Sequence, residues 1–181
     1  MAEKATIYKA NLSIADVERS FYGDFNLTIA LHPSETHERM MARLLAFAFC
    51  AHEHLSFAGS LSTADEPDLW LKHLDGRILE WIEVGQPSVD RLKKASSQSA
   101  QVKLFSYGRG LDIWWKGNAL AIQSLPKVSA FYFDAQELQA LTQIVQKTMN
   151  ISVSISESSA FVATDTFQSS IELRTMDALI N

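Results

Sequence analysis

A chain of 181 residues with a formal net charge of −5 is not built to bind nucleic acid indiscriminately along its backbone, because that mode needs many phosphates neutralised by Lys and Arg. Its 47% hydrophobic and 20% charged composition is that of an ordered globular protein and excludes an extended disordered chain. The length suits one domain, 1–181, around a single hydrophobic core.

In chain order, Met1 to Ala10 carry no apolar signal core. Apolar alternation over Ala5 to Ala15 and Phe21 to Leu31, joined by the polar Asp16 to Ser20, predicts an antiparallel hairpin. Pro33, with Ser34 as N-cap, opens a helix whose apolar stripe runs through Met41, Leu44, Leu45, Ala48 and Phe49 to about Leu55. The single cysteine, Cys50, lies in the apolar run Leu44 to Ala51. It reads as a small buried hydrophobe, and one cysteine excludes an intramolecular disulfide or a multi-cysteine zinc site.

Gly59 to Glu66 is a polar connection. Leu69 to Leu74 and Arg77 to Val84 are extended runs around Asp75-Gly76, the favoured pair for a two-residue type I′ turn. After Gly85-Gln86-Pro87, Ser88 caps a second helix to about Ala100, and Val102 to Tyr107 reads as a strand. Leu111 to Asn118 predicts a short helix, Val128 to Phe133 a strand, and Ala135 to Thr148 a helix. Ile151 to Ser156, Ala160 to Thr164 and Ser169 to Arg174 predict a three-stranded antiparallel meander. No stretch approaches the roughly 18 apolar residues that span a bilayer, so the expected location is the cytoplasm, with no membrane partner.

With Asp75 and Gly76 as the two turn residues, Trp70 faces Trp81 and Asp68 faces Glu83 on one side of the hairpin. The tryptophans read as a core pair. The acids repel one another, an arrangement that is tolerated at a solvated end or used to hold a hard divalent cation. Between Arg91 and Lys116 the basic residues Arg91, Lys93, Lys94, Lys103, Arg109 and Lys116 outnumber the acid Asp112. This window is either a local anion-attracting surface or a solvated helix face. The five histidines show no ligand spacing, and no Gly-rich phosphate loop or nucleophile elbow occurs.

Glu66-Pro67-Asp68-Leu69-Trp70 and Trp81-Ile82-Glu83-Val84-Gly85 resemble the Pro-Asp and (Asp/Glu)-x-Lys segments of the PD-(D/E)XK nuclease superfamily. More narrowly, the chain resembles the YaeQ family. Four stretches carry that resemblance: His32-Pro33-Ser34-Glu35-Thr36-His37-Glu38-Arg39-Met40-Met41, Asp65-Glu66-Pro67, Trp81 through Pro87, and Lys93-Lys94-Ala95. It extends to Lys4 through Lys9 and to Ile113-Trp114-Trp115.

The resemblance implies an α/β, restriction-endonuclease-like mixed sheet flanked by helices, with additional antiparallel strands at both ends. It implies Asp68 and Glu83 as ligands of Mg²⁺ or Mn²⁺ in a phosphodiesterase site acting on nucleic acid. Glu38 is the added helix carboxylate, on the stripe of Met41, Leu45 and Ala48, while Asp65 and Glu66 are alternatives to Asp68. The pattern departs at Gly85, where a lysine is usual. Lys94, some 7 to 8 Å along the following helix, is the candidate to replace it, with Gln98 one turn on. The alternative is a non-catalytic member of the fold that binds nucleic acid or a transcription or repair protein.

Overall fold

The structure is a computed structural model that describes residues 4–58 and 65–179; the polar connection expected over Gly59 to Glu66 lies outside them for 59–64. The chain sorts into two compact units, both discontinuous in sequence. The first joins the residues up to Glu53 to Asp134–Leu173, and the second joins His54–Phe133 to the segment from Arg174. The mixed α/β class expected from the sequence is observed, with one mixed sheet in each unit. Among the described residues no helix is long and apolar enough to cross a membrane.

In the first unit, β1 (Thr6–Asp16) and β2 (Phe21–Leu31) form the expected hairpin, from Thr6 opposite Leu31 to Asp16 opposite Phe21. The helix α1 runs His37–Phe49 and is capped by Thr36, whose hydroxyl accepts the Arg39 N–H at 3.2 Å. Ser34 does not cap it. The Glu35 N–H closes a turn onto the His32 carbonyl (2.8 Å) and Ser34 Oγ bonds His32 Nδ1 (2.7 Å), so the helix starts a few residues later than expected. Met40 through Ala48 are buried, Phe47 stacks edge-on against Phe25 of β2, and Cys50 is buried at the C-cap.

The helix α4 is shorter than expected, Ala135–Leu141, and tightens into a 3₁₀ turn at Thr142–Ile144 before β8 (Thr148–Ser156) begins. β9 (Ser159–Ala163) and β10 (Gln168–Glu172) complete the expected antiparallel meander. The strand order is β10-β9-β8-β1-β2, with β8 parallel to β1. Leu12 and Ile14 of β1 and Ile151 and Val153 of β8 are buried and share one face.

The second unit orders its strands β11-β7-β6-β5-β4-β3. β3 (Leu55–Phe57) begins where the first helix was expected to end, at about Leu55, and was not foreseen, since a strand of three residues is too short to show a period. β4 (Leu69–Lys72) and β5 (Ile78–Val84) are antiparallel. β5, α2 (Val89–Gln98), β6 (Ser99–Ser106), α3 (Leu111–Gln123) and β7 (Val128–Tyr132) make two successive parallel crossovers, and β11 (Arg174–Thr175) closes the far edge. Trp81, Val102 and Leu104 from the strands pack with Leu92 of α2 and with Trp115 and Ile122 of α3. This core holds β5 and the start of α2 in place, and those two elements carry the candidate residues Glu83 and Lys94.

The turn between β4 and β5 differs from the two-residue one expected. The Gly76 N–H bonds the His73 carbonyl (2.9 Å), the His73 N–H bonds the Arg77 carbonyl (2.8 Å), and Gly76 has φ +91°. This is a three-residue loop with glycine in the left-handed region. Alone it would slip the register by one residue. Leu79 then bulges between Ile78, opposite Lys72, and Glu80, opposite Leu71, and restores the pairing so that Trp70 faces Trp81 as expected. The turn is held by Asp75, whose carboxyl is lowered to about 2 by the Arg77 backbone N–H first, and also by the Arg77 and His73 side chains.

Candidate functional site

Ser88 caps α2 as expected, its hydroxyl accepting the Arg91 N–H at 3.2 Å. That cap sets Arg91 in the first helical turn, beside the carboxyl end of β5, where ligand crevices of parallel α/β sheets form. Arg91 donates through Nε and Nη2 to Oε1 of Glu83, both at 2.9 Å, and Nη2 also reaches the Glu66 carbonyl at 2.6 Å. Trp81, two residues back on the same strand face, donates its indole N–H to the same Oε1 at 2.7 Å. Glu83 is only 3% exposed. Burial raises its carboxyl above the usual range and the negative charge of Asp68 adds to the rise, while Arg91 and Trp81 pull the other way.

Asp68 precedes β4 and is half-buried. Regular pairing stops at Leu69 opposite Ile82, and the Asp68 N–H then bonds the Ile82 carbonyl at 3.1 Å. Its carboxylate crosses to accept the N–H of Val84, the residue after Glu83, at 2.8 Å. The structure therefore brings the Asp68 and Glu83 charges close together, with Arg91 against Glu83.

Lys94, one turn beyond Arg91 on the same side of α2, forms its ion pair with Asp65, whose carboxyl it lowers. Gln98 is exposed at the end of that helix. Glu38 belongs to the other compact unit, half-buried on the α1 stripe that the buried Met41, Leu45 and Ala48 continue.

Gly85 has φ +116° and donates its N–H to the Phe105 carbonyl at 2.9 Å. A lysine here would sit in a conformation that L side chains rarely adopt, so the departure from the superfamily pattern is built into the backbone. Half of the basic window is engaged in ion pairs: Arg91 with Glu83, Lys94 with Asp65, and Lys103 with Glu80 at 2.9 Å. Sequence reasoning missed Arg91 as the partner of Glu83. The Ser88 cap was a signal for the position of Arg91 in the first turn of the helix, though not for the direction of its side chain.

Among the described residues no group of three or more His, Cys, Asp and Glu side chains forms a cation cage. Asp68 and Glu83 are of the oxygen-donor type that Mg²⁺ takes, since that ion commonly binds one or two carboxylates and completes its octahedron with water and substrate phosphate oxygens.

The family model described as YaeQ protein matches residues 1–173. The uncharacterized protein YaeQ of Escherichia coli strain K12 is 41% identical over 166 residues, 91% of this chain and 92% of that protein. That of Salmonella typhi is 41% identical over 164 residues, 90% of this chain and 91% of that protein. The crystal structure of YaeQ from Xanthomonas axonopodis pv. citri is similar with TM-score 0.91 and 36% identity, covering 95% of this chain and 98% of that one. That of YaeQ from Pseudomonas syringae has TM-score 0.90 and 41% identity, covering 95% and 96%.

Proposed function

The chain belongs to the YaeQ family, and from that premise we propose a nuclease-like protein with a Mg²⁺- or Mn²⁺-dependent site acting on phosphodiesters of nucleic acid. Asp68 and Glu83 are its metal-binding carboxylates. The observation that carries the reading is the meeting of two acids at the end of β5, Asp68 accepting the N–H of Val84 and the neighbouring Glu83 holding Arg91 as its counterion. A buried carboxylate beside another is costly unless a cation compensates it. Arg91 does so here through a single oxygen, Oε1.

When bound, the metal supplies a Lewis acid for the phosphoryl oxygen and lowers the pKa of water. Asp68 and Glu83 would hold and orient that centre. Arg91, exchanged off Glu83, presents a planar fork suited to phosphate oxygens, and Lys94 adds a second cation one turn away. These two groups take the role that Gly85 leaves vacant. The ion pair between Arg91 and Glu83 also favours a second reading, in which it is a permanent support and the protein binds nucleic acid or a transcription or repair protein without cleaving it.

Calorimetric and thermal titration with Mn²⁺ separates the two. A dissociation constant of about 1 mM gives about 1.4 kcal/mol at about 10 mM ion, a rise of roughly 3 to 6 °C in melting temperature. Glu83→Gln abolishes the rise, and Arg91→Ala, which removes the competing cation, enlarges it. Equal melting temperatures with and without Mn²⁺ in the wild type discard the metal reading.

A further inference from the structure

We propose that Trp70, with Lys72 beside it, is a base-stacking platform that makes single-stranded nucleic acid the substrate class of this site, an inference that rests on the phosphodiester reading above. The two facing tryptophans have different fates. Trp81 is 1% exposed and belongs to the core under the helices, whereas its partner Trp70 is only half-buried.

On its other flank Trp70 is paired with Ser56 of β3, an exposed side chain too small to cover an indole. What stands over the ring is Lys72, with Nζ 3.5 Å from a ring centroid. Lys72 is itself exposed, so the ring face is capped by a flexible, displaceable group and not by a core side chain. A cation at this position marks an electron-rich face reachable from solvent, which is the surface a nucleobase stacks on.

Trp70 and Lys72 alternate along β4 on the side of the sheet that carries Trp81 and Glu83, and Asp68 stands two residues before Trp70, a span of roughly 7 Å. A strand whose phosphate meets Asp68 and Glu83 can therefore lay a neighbouring base on Trp70, while the displaced Lys72 ammonium takes a phosphate. Bases inside a duplex are already stacked and cannot use the ring.

The test measures fluorescence anisotropy of labelled oligothymidylate and of a duplex of equal length on wild type, Trp70→Ala and Trp70→Phe, with melting curves and Mn²⁺ calorimetry on the same samples. Expected are tighter binding of the single strand than of the duplex by wild type, a loss of about tenfold for Trp70→Ala on the single strand, retention in Trp70→Phe, and unchanged Mn²⁺ binding in both variants. Equal single-strand affinity of Trp70→Ala and wild type overturns the platform, as does a wild type that prefers duplex or binds neither. Mn²⁺ binding that survives those outcomes leaves the carboxylate site standing. Trp70-dependent strand binding by a protein that takes no Mn²⁺ removes the metal and keeps the platform.

Discussion

Glu83 holds its proton more tightly in the folded protein than its ordinary 4.5, because burial and then the charge of Asp68 outweigh Arg91 and Trp81. A raised folded-state value means that the favourable contribution is fully present below the unfolded value and is lost as pH rises through the folded one. Glu83→Gln, similar in shape and uncharged, is therefore expected to melt above the metal-free wild type at neutral pH. The gap should close below about pH 4.5, where Glu83 is protonated in both states. Melting curves from pH 4 to 7.5 without divalent ions read this directly, and a wild type that is the more stable at neutral pH would show that the Arg91 pair outweighs the burial cost. Hairpin spacing led to the expectation that Asp68 faces Glu83. The two acids do lie at the same end of the hairpin, but regular pairing stops at Leu69 opposite Ile82, so they are not a facing pair. The partner exchange was not legible in the sequence: Lys94 turns to Asp65 and Arg91 to Glu83, because the direction of a side chain from a helix's first turn depends on how the helix docks, which spacing alone does not contain.

The hairpin shows how an element can end in the expected register by an unexpected route. Asp75-Gly76 promised a two-residue turn, yet Leu74 joins them at the tip, 94% exposed, and the bulge at Leu79 compensates the slip. The tertiary constraint that selects this outcome is the burial of Trp81 and Ile82 on opposite faces of β5, which a one-residue slip at that point would invert relative to β4. Gly76 has φ +91° and open space where a Cβ would sit, so its role is conformational and not steric. Gly76→Ala is expected to cost about 1 kcal/mol in urea unfolding, and Gly76→Asn clearly less, since asparagine tolerates the left-handed region. Equal losses for both would mean that the turn re-forms with the two-residue geometry. Helix ends were poorly legible: α1 and α4 end early, and a 3₁₀ turn takes residues at the end of α4 that were assigned to the helix.

At the scale of the whole chain, the least legible feature is the closure of the first unit's sheet. The N-terminal hairpin and the C-terminal meander each announce themselves by local alternation and polar turns. Nothing local says that β8 lies parallel to β1, with Leu12 opposite Ile151 across a separation of well over a hundred residues. The choice comes from burial: the even positions of β1 and the odd positions of β8 present matching apolar rows, and a slip by one residue would set Leu12 against Asn150 or Ser152. A double-mutant cycle tests this pairing. Leu12→Ala and Ile151→Ala each remove a side chain from the buried row and are expected to cost about 2 to 5 kcal/mol alone. As direct neighbours sharing one cavity they should combine non-additively, by at least about 0.5 kcal/mol. Leu12→Ala with Ile171→Ala, on β10 at the far edge of the same sheet, should add within about 0.3 to 0.5 kcal/mol. Additivity in the first pair would mean that Leu12 and Ile151 do not touch, and the parallel register joining the two ends of the chain would be wrong.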